Sequence, residues 1–137
     1  MVNSCVKLIR LRIITPEGVM FDEDIELFET CLGGGYAGIM YGHAKIISYL
    51  SEKPSKIFCQ NKKKLICLFN GGLICVDSRE IKIFAKMFAF VDKSDRSKIK
   101  TNYENLLKTL KETDNGYKRM QIEAMLEFEL QKLRWVN

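Results

Sequence analysis

The spacing of apolar residues changes once along this chain, near Val91, and that change constrains the fold more than any other feature. Before it, short apolar runs at 6–14, 19–32, 38–50, 56–60, 65–69, 73–77 and 80–88 are separated by turn residues, the pattern of an antiparallel β-sandwich or barrel. In 80–86 the alternation is plain, with Ile81, Ile83 and Ala85 on one face and Lys82, Phe84 and Lys86 on the other. Pro16 ahead of Gly18 presets one turn, and Asn61 with the three following lysines closes a hairpin. Asn70, Gly71 and Gly72 are expected to turn another hairpin by supplying positive φ angles.

After Val91 the period is helical. Ile99, Tyr103, Leu106, Leu107 and Leu110 fall on one stripe, with Asp92 or Ser94 available as N-cap. The sequence TDNG at 113–116 breaks that helix, and a second, over about 117–135, is expected to return antiparallel to it. At about a hundred degrees per residue the second helix carries two apolar stripes. One holds Tyr117, Met120, Ala124, Phe128 and Trp135, the other Ile122, Leu126, Leu130 and Leu133. A single neighbouring helix cannot cover both, so one stripe is expected to meet the first helix and the other either to lie on the sandwich or to be covered by a partner chain in at least one state. The expected domains are therefore a sandwich at 1–90 and a helical hairpin at 91–137.

Composition closes several alternatives. No apolar run approaches the ~20 residues that cross a bilayer. The basic residues near the start alternate with apolar ones, so no targeting segment is read there. Five cysteines, at 5, 31, 59, 67 and 75, show no CxxC pair and sit mostly in strand-like runs, which reads as reduced thiols with neither disulfides nor a metal site. The 22 basic residues are interleaved with 17 acidic ones, so the net charge of +5 does not by itself mark a nucleic-acid binder and no nucleic acid is expected as a partner; the rival reading, a basic nucleic-acid adaptor, would require the lysines to converge with exposed aromatic residues on one face. The dense cluster Lys62–Lys64 falls on the predicted hairpin tip.

The stretch 33–44, GGGYAGIMYGHA, gathers five glycines, two tyrosines and the chain's one histidine. Gly33, Gly34 and Gly35 are not followed by the Lys-Ser/Thr of a phosphate loop, nor by a helix, so they read as turn residues. His43 has no nucleophile or metal-ligand motif at informative spacing, and a small hydrolase would require such a partner close in space. No catalytic residue is assigned.

Taken in order, ITPEGVMFD at 14–22, GYAGIMYGHA at 35–44 and FNGGLICV at 69–76, followed by two helices, resemble the epsilon subunit of F-type ATP synthases over almost the whole chain. The resemblance implies a non-catalytic rotor subunit on the cytoplasmic face of the membrane. Its implied partners are the gamma subunit, the alpha/beta hexamer that carries catalysis, and the membrane rotor ring. It implies an interface at Tyr36, Gly38, Tyr41, Gly42, His43 and Lys45, and a C-terminal hairpin, including Phe128 and Trp135, that restrains ATP hydrolysis. The chain departs from the family pattern in having Tyr41 and Lys45 where prolines are common, and Tyr36 where an acidic residue is common. These departures fall on the surface that faces the ring, and they raise the alternative of a divergent F1-like motor with altered membrane coupling. Some family members bind ATP at the start of the first helix. Here Asp92 and Arg96 are a remnant of that motif with one residue too many between them, which rotates the arginine by about a hundred degrees away from the aspartate.

Overall fold

The computed structural model describes residues 6–136, so Cys5 and the first residues of the chain lie outside the described part. The chain divides after Phe90 into two compact units. The first contains eight strands: β1 (Ile9–Thr15), β2 (Gly18–Ile25), β3 (Leu27–Leu32), β4 (Gly35–Ile39), β5 (Ile46–Tyr49), β6 (Ser55–Phe58), β7 (Lys64–Val76) and β8 (Glu80–Phe90). The second holds α1 (Arg96–Lys111) and α2 (Gly116–Val136). The expected class, a β-sandwich followed by a helical hairpin, is the one observed.

The strands run in the order β2-β1-β8-β7-β6-β3-β4, with β5 also on β7. All pairings are antiparallel except β1 with β8, which is parallel. β7 is the junction. Its first residues pair with β6 and its last four with β5, on the same edge, while β8 runs along the other. The sheet therefore forks along β7, and the two branches form the layers of the sandwich. Alternate side chains turn inward: Ile9, Leu11 and Ile13 from β1, Ile74 and Val76 from β7, and Ile81, Ile83 and Ala85 from β8 are all buried. Each large apolar side chain fully withdrawn from water contributes about 1.5–3 kcal/mol. Among the described residues of the sandwich the buried polar side chains are Thr30 and Ser55, satisfied by a 2.8 Å hydrogen bond between their two hydroxyls.

Two expectations need correction here. Asn70, Gly71 and Gly72 do not turn a hairpin; β7 continues through them as one strand. Gly71 takes φ +64°, yet the register with β8 is the same on both sides, Asn70 opposite Met87 and Gly72 opposite Ala85. The positive φ kinks the strand where the sheet forks, which a side-chain-bearing residue does at a cost. Gly72 has a different reason to be glycine: a Cβ there would lie 2.8 Å from Leu50 Cδ1, and its carbonyl accepts the Leu50 amide at 2.9 Å. The turns at Gly18 and at Asn61 form as expected, with φ +123° and +66°. The 19–32 run is broken at Glu26 into β2 and β3.

In the second unit, Asp92 Oδ1 accepts the Ser94 amide at 3.2 Å and caps a short 3-10 turn, Lys93–Asp95, ahead of α1. Asn115 Oδ1 accepts the amides of Tyr117 and Lys118 and starts α2. Arg119 then donates from Nη1 to the carbonyls of Leu110 and Thr113, tying the two helices together at the connecting turn. The second correction concerns α2. Of the two predicted stripes, Tyr117, Met120 and Trp135 are exposed and Phe128 is buried; Leu126 is buried, but Leu130 is 43% exposed while its neighbour Glu129 is buried. At a hundred degrees per residue Leu130 lies about 80° around the helix from Ile122 and Glu129 only about 20°, so the stripe chosen by apolar residues alone placed a leucine at its edge and passed over the glutamate nearer Ile122.

Candidate functional site

β4 ends at Ile39 and the chain turns at once. The His43 amide donates to the Met40 carbonyl at 3.1 Å, closing a four-residue turn with Gly42 third and at φ +88°. That is the type II arrangement, whose third position needs a positive φ and whose second favours proline. Here the second position is Tyr41, which does not preset φ. Its ring is instead covered by Lys7 Nζ, 5.1 Å from the ring centroid, which joins the start of the sandwich to the loop.

The other side of the loop is held by the β7–β8 turn. Gly42 donates its amide to the Ser78 carbonyl at 2.7 Å. Ser78 is placed by Asp77, whose Oδ1 accepts the amides of Arg79 and Glu80, both at 2.8 Å. These backbone donors hold the Asp77 carboxyl below its ordinary pKa, with Lys45 and Lys82 adding to the effect. His43 Nδ1 faces the Ala44 carbonyl at 2.8 Å; because a carbonyl only accepts, Nδ1 carries the hydrogen. The imidazole is thus oriented by its own backbone, at the end of the sandwich.

The structure brings together Tyr41, Gly42, His43 and Lys45, but not Tyr36. Tyr36 pairs with Cys31 beside the turn at 33–34, at the opposite end of β4, and donates its hydroxyl to the Pro54 carbonyl at 3.1 Å. At about 3.3 Å per residue, β4 puts more than 10 Å between the two groups. Gly38 lies between them, opposite Glu29, where a Cβ would sit 3.3 Å from Leu27 Cδ1. In the second unit, Asp92 is engaged in its cap, Arg96 is exposed at the first position of α1, Phe128 is buried, and Trp135 is 41% exposed.

Sequence reasoning missed the outer face of the forked sheet. Reading across the pairings, Tyr49 lies opposite Leu73, Leu73 opposite Phe84, Phe84 opposite Ile14, and Ile14 opposite Val19. Tyr49 is 79% exposed and Val19 59%, and Ile47 beside them is 77% exposed. Phe84 and Ile14 also line a shallow groove of about 330 Å³ that runs to Pro16 and Lys86. The signal was available in β5, where Ile46 and Ile47 place apolar residues on both faces of one strand. Among the described residues no cluster of His, Cys, Asp and Glu side chains could hold a metal ion, and no helix is long and apolar enough to cross a membrane.

The profile of the ATP synthase Delta/Epsilon chain beta-sandwich domain matches residues 8–90. The chain belongs to the ATP synthase delta/epsilon family. It is 30% identical to the ATP synthase epsilon chain of Mycoplasma genitalium over 93% of this chain and 96% of that one. It is 35% identical to the epsilon chain of Mycoplasma mobile over 74% of this chain and 73% of that one. Among solved structures it is similar to a chain of the Euglena gracilis mitochondrial ATP synthase OSCP/F1/c-ring assembly, at TM-score 0.62 and 16% identity, covering 97% of this chain and 81% of that one. A chain of the Tetrahymena thermophila mitochondrial ATP synthase central stalk and c-ring matches at TM-score 0.53 and 12% identity, covering 91% of this chain and 96% of that one. At those identities the structural likeness speaks for the delta/epsilon fold. The sequence matches reach past the sandwich into the hairpin.

Proposed function

We propose that the chain is the non-catalytic epsilon-type subunit of the central stalk of a rotary ATP synthase or ATPase. The observation that carries this is the 30% identity to an ATP synthase epsilon chain across both units, with nearly the whole length of each chain covered. In this reading the sandwich, 1–90, binds the gamma subunit and the rotor. The surface built by Tyr41, Gly42, His43 and Lys45 with the Ser78 turn contacts gamma, and Tyr36, at the far end of β4, approaches the membrane ring. The apolar row from Tyr49 to Val19 supports a partner-covered sandwich, because a free surface rarely carries so many exposed apolar side chains in one line. The hairpin, 91–137, with Trp135 exposed, restrains ATP hydrolysis. Catalysis belongs to the alpha and beta chains, and the subunit sits peripherally on the cytoplasmic face of the membrane through the complex.

One observation favours a specialised F1-like motor within the same reading. Tyr36, where the family commonly has an acidic residue, has its hydroxyl engaged by Pro54 and leaves its ring to the surface. Affinity purification of the tagged chain from its own cells, with mass spectrometry of what co-elutes, tests both. Alpha-, beta- and gamma-like chains at rotor stoichiometry support the assignment, and the presence of ring subunits selects an ordinary synthase. Elution alone or with nucleic acid overturns it.

A further inference from the structure

Three segments far apart in sequence meet where the chain leaves β4, and three contacts close a circuit among them. The Gly42 amide donates to the Ser78 carbonyl at 2.7 Å. The next carbonyl, that of Arg79, accepts the Arg10 amide at 3.0 Å, at the start of β1. Three residues before Arg10, Lys7 Nζ stands over the Tyr41 ring, and Tyr41 adjoins Gly42. Among the described residues Lys7 has no carboxylate partner, so its cation is committed to that ring.

Little else holds the loop. Tyr41, second in the turn, keeps a negative φ without the fixed value a proline would give it, and Gly42 has no side chain to wedge in place. A Cβ at Gly42 would meet nothing within 4 Å, and Met40, first in the turn, is 56% exposed. The turn is therefore tethered at two points, the Gly42 amide and the Tyr41 ring. In a closed circuit each contact keeps the partners of the others near one another, so losing one loosens the rest.

We infer that Lys7 is a positioning residue for the loop at 40–43. The segment ahead of β1 clamps Tyr41 and thereby supports the Gly42–Ser78 bond, so the surface offered by Met40 and His43 is docked from the start of the chain as well as from the β7–β8 turn. The use of this clamp, though not its existence, rests on the proposed contact of the loop with gamma.

Amide exchange of the full chain, followed by NMR at Gly42 and at the core residue Ile74, tests the clamp. Lys7→Met keeps an unbranched stem and removes the charge. It is expected to speed Gly42 exchange about two- to fivefold, the range of an exposed cation–π contact, with Ile74 unchanged. Lys7→Arg should restore the parent rate, since a guanidinium also sits on an aromatic face. In a Tyr41→Leu background Lys7→Met should change nothing further. Unchanged Gly42 exchange in Lys7→Met overturns the inference. The amide then opens by a flip of the Tyr41–Gly42 peptide to the type I arrangement, a turn of about 150° in the Tyr41 ψ that leaves the ring under Lys7. Equal acceleration at Ile74 also overturns it, because that reports a global loss of stability. Dissociation from purified gamma is the separate arm. A faster rate for Lys7→Met and a parent rate for Lys7→Arg support the use of the clamp, and equal rates for all three chains overturn that use. A parent chain that fails to bind gamma overturns the proposed function and leaves the exchange result standing.

Discussion

The amide of Gly42 donates to the carbonyl of Ser78 at 2.7 Å, and through that bond a loop from the first half of the sandwich is locked to a turn from the second. The residues that carry the family likeness at 35–44 are therefore held in place by a turn more than thirty residues away, whose own shape depends on Asp77.

Gly42→Ala probes this lock. A Cβ at Gly42 meets nothing within 4 Å, so the cost is the backbone strain of φ +88° alone, about 1–2 kcal/mol. A melting temperature lower by a few degrees is expected in circular dichroism, with weaker co-purification of gamma. An unchanged melt would mean that the turn relaxes to another type.

Asp77→Asn removes charge from the acceptor that shapes the Ser78 turn, and the Gly42 amide should then exchange faster at neutral pH. The sign with pH follows from the lowered carboxyl pKa. The stabilisation is present above the ordinary Asp value, about 3.9, and is lost as pH falls through the lower folded value. Parent and variant should converge in acid when Gly42 exchange is followed by NMR; a gap that persists below both values contradicts this account.

Gly72 and Leu50 should be energetically coupled. Gly72→Ala places a Cβ against Leu50 and is expected to destabilise by about 1–3 kcal/mol. In a Leu50→Ala background the same substitution should cost clearly less, and denaturant unfolding of the four chains in the cycle measures the difference. Additive costs would show that Leu50 moves aside freely.

Cys67 is wholly buried, and burial pushes its thiol well above the ordinary value. The folded thiol stays neutral while the unfolded one ionises from about pH 8.5 upward, so this group's contribution is complete below that pH. It falls by about 1.4 kcal/mol per pH unit above it. Cys67→Ala should flatten the alkaline loss of stability by one proton. Thiol labelling of native protein at pH 8 should spare Cys67, and rapid labelling there would contradict its burial.

Truncation after Val91 should leave assembly with gamma intact and raise ATP hydrolysis, since the two units separate at that point. Normal hydrolysis by a complex containing the truncated chain would assign the hairpin a structural role.

The class of fold was legible because each unit declares its period locally. Ile81, Ile83 and Ala85 alternate with Lys82, Phe84 and Lys86 wherever one face of a strand is buried, and the observed burial follows that alternation. The turns at Gly18 and Asn61 were legible for a similar reason, since their residues answer to backbone geometry within a few positions. Gly71 was misread because a positive φ serves a hairpin and a kinked strand equally well. What distinguishes them is β8, which runs unbroken past both halves of β7. The candidate site was half legible: the loop at 41–45 could be named, but nothing near it in sequence pointed to Ser78.

By itself, the sequence determined two units of different period, the turn residues, the charge pattern and the family motifs, all of them properties set within a few residues of chain. Tertiary structure decided that the loop at 41–45 meets the Ser78 turn, which residues of α2 are buried, and that Tyr49, Leu73, Phe84, Ile14 and Val19 form one row. Those depend on register between distant strands and helices. A shift of one residue there reverses which side chains meet water, while the local pattern stays the same.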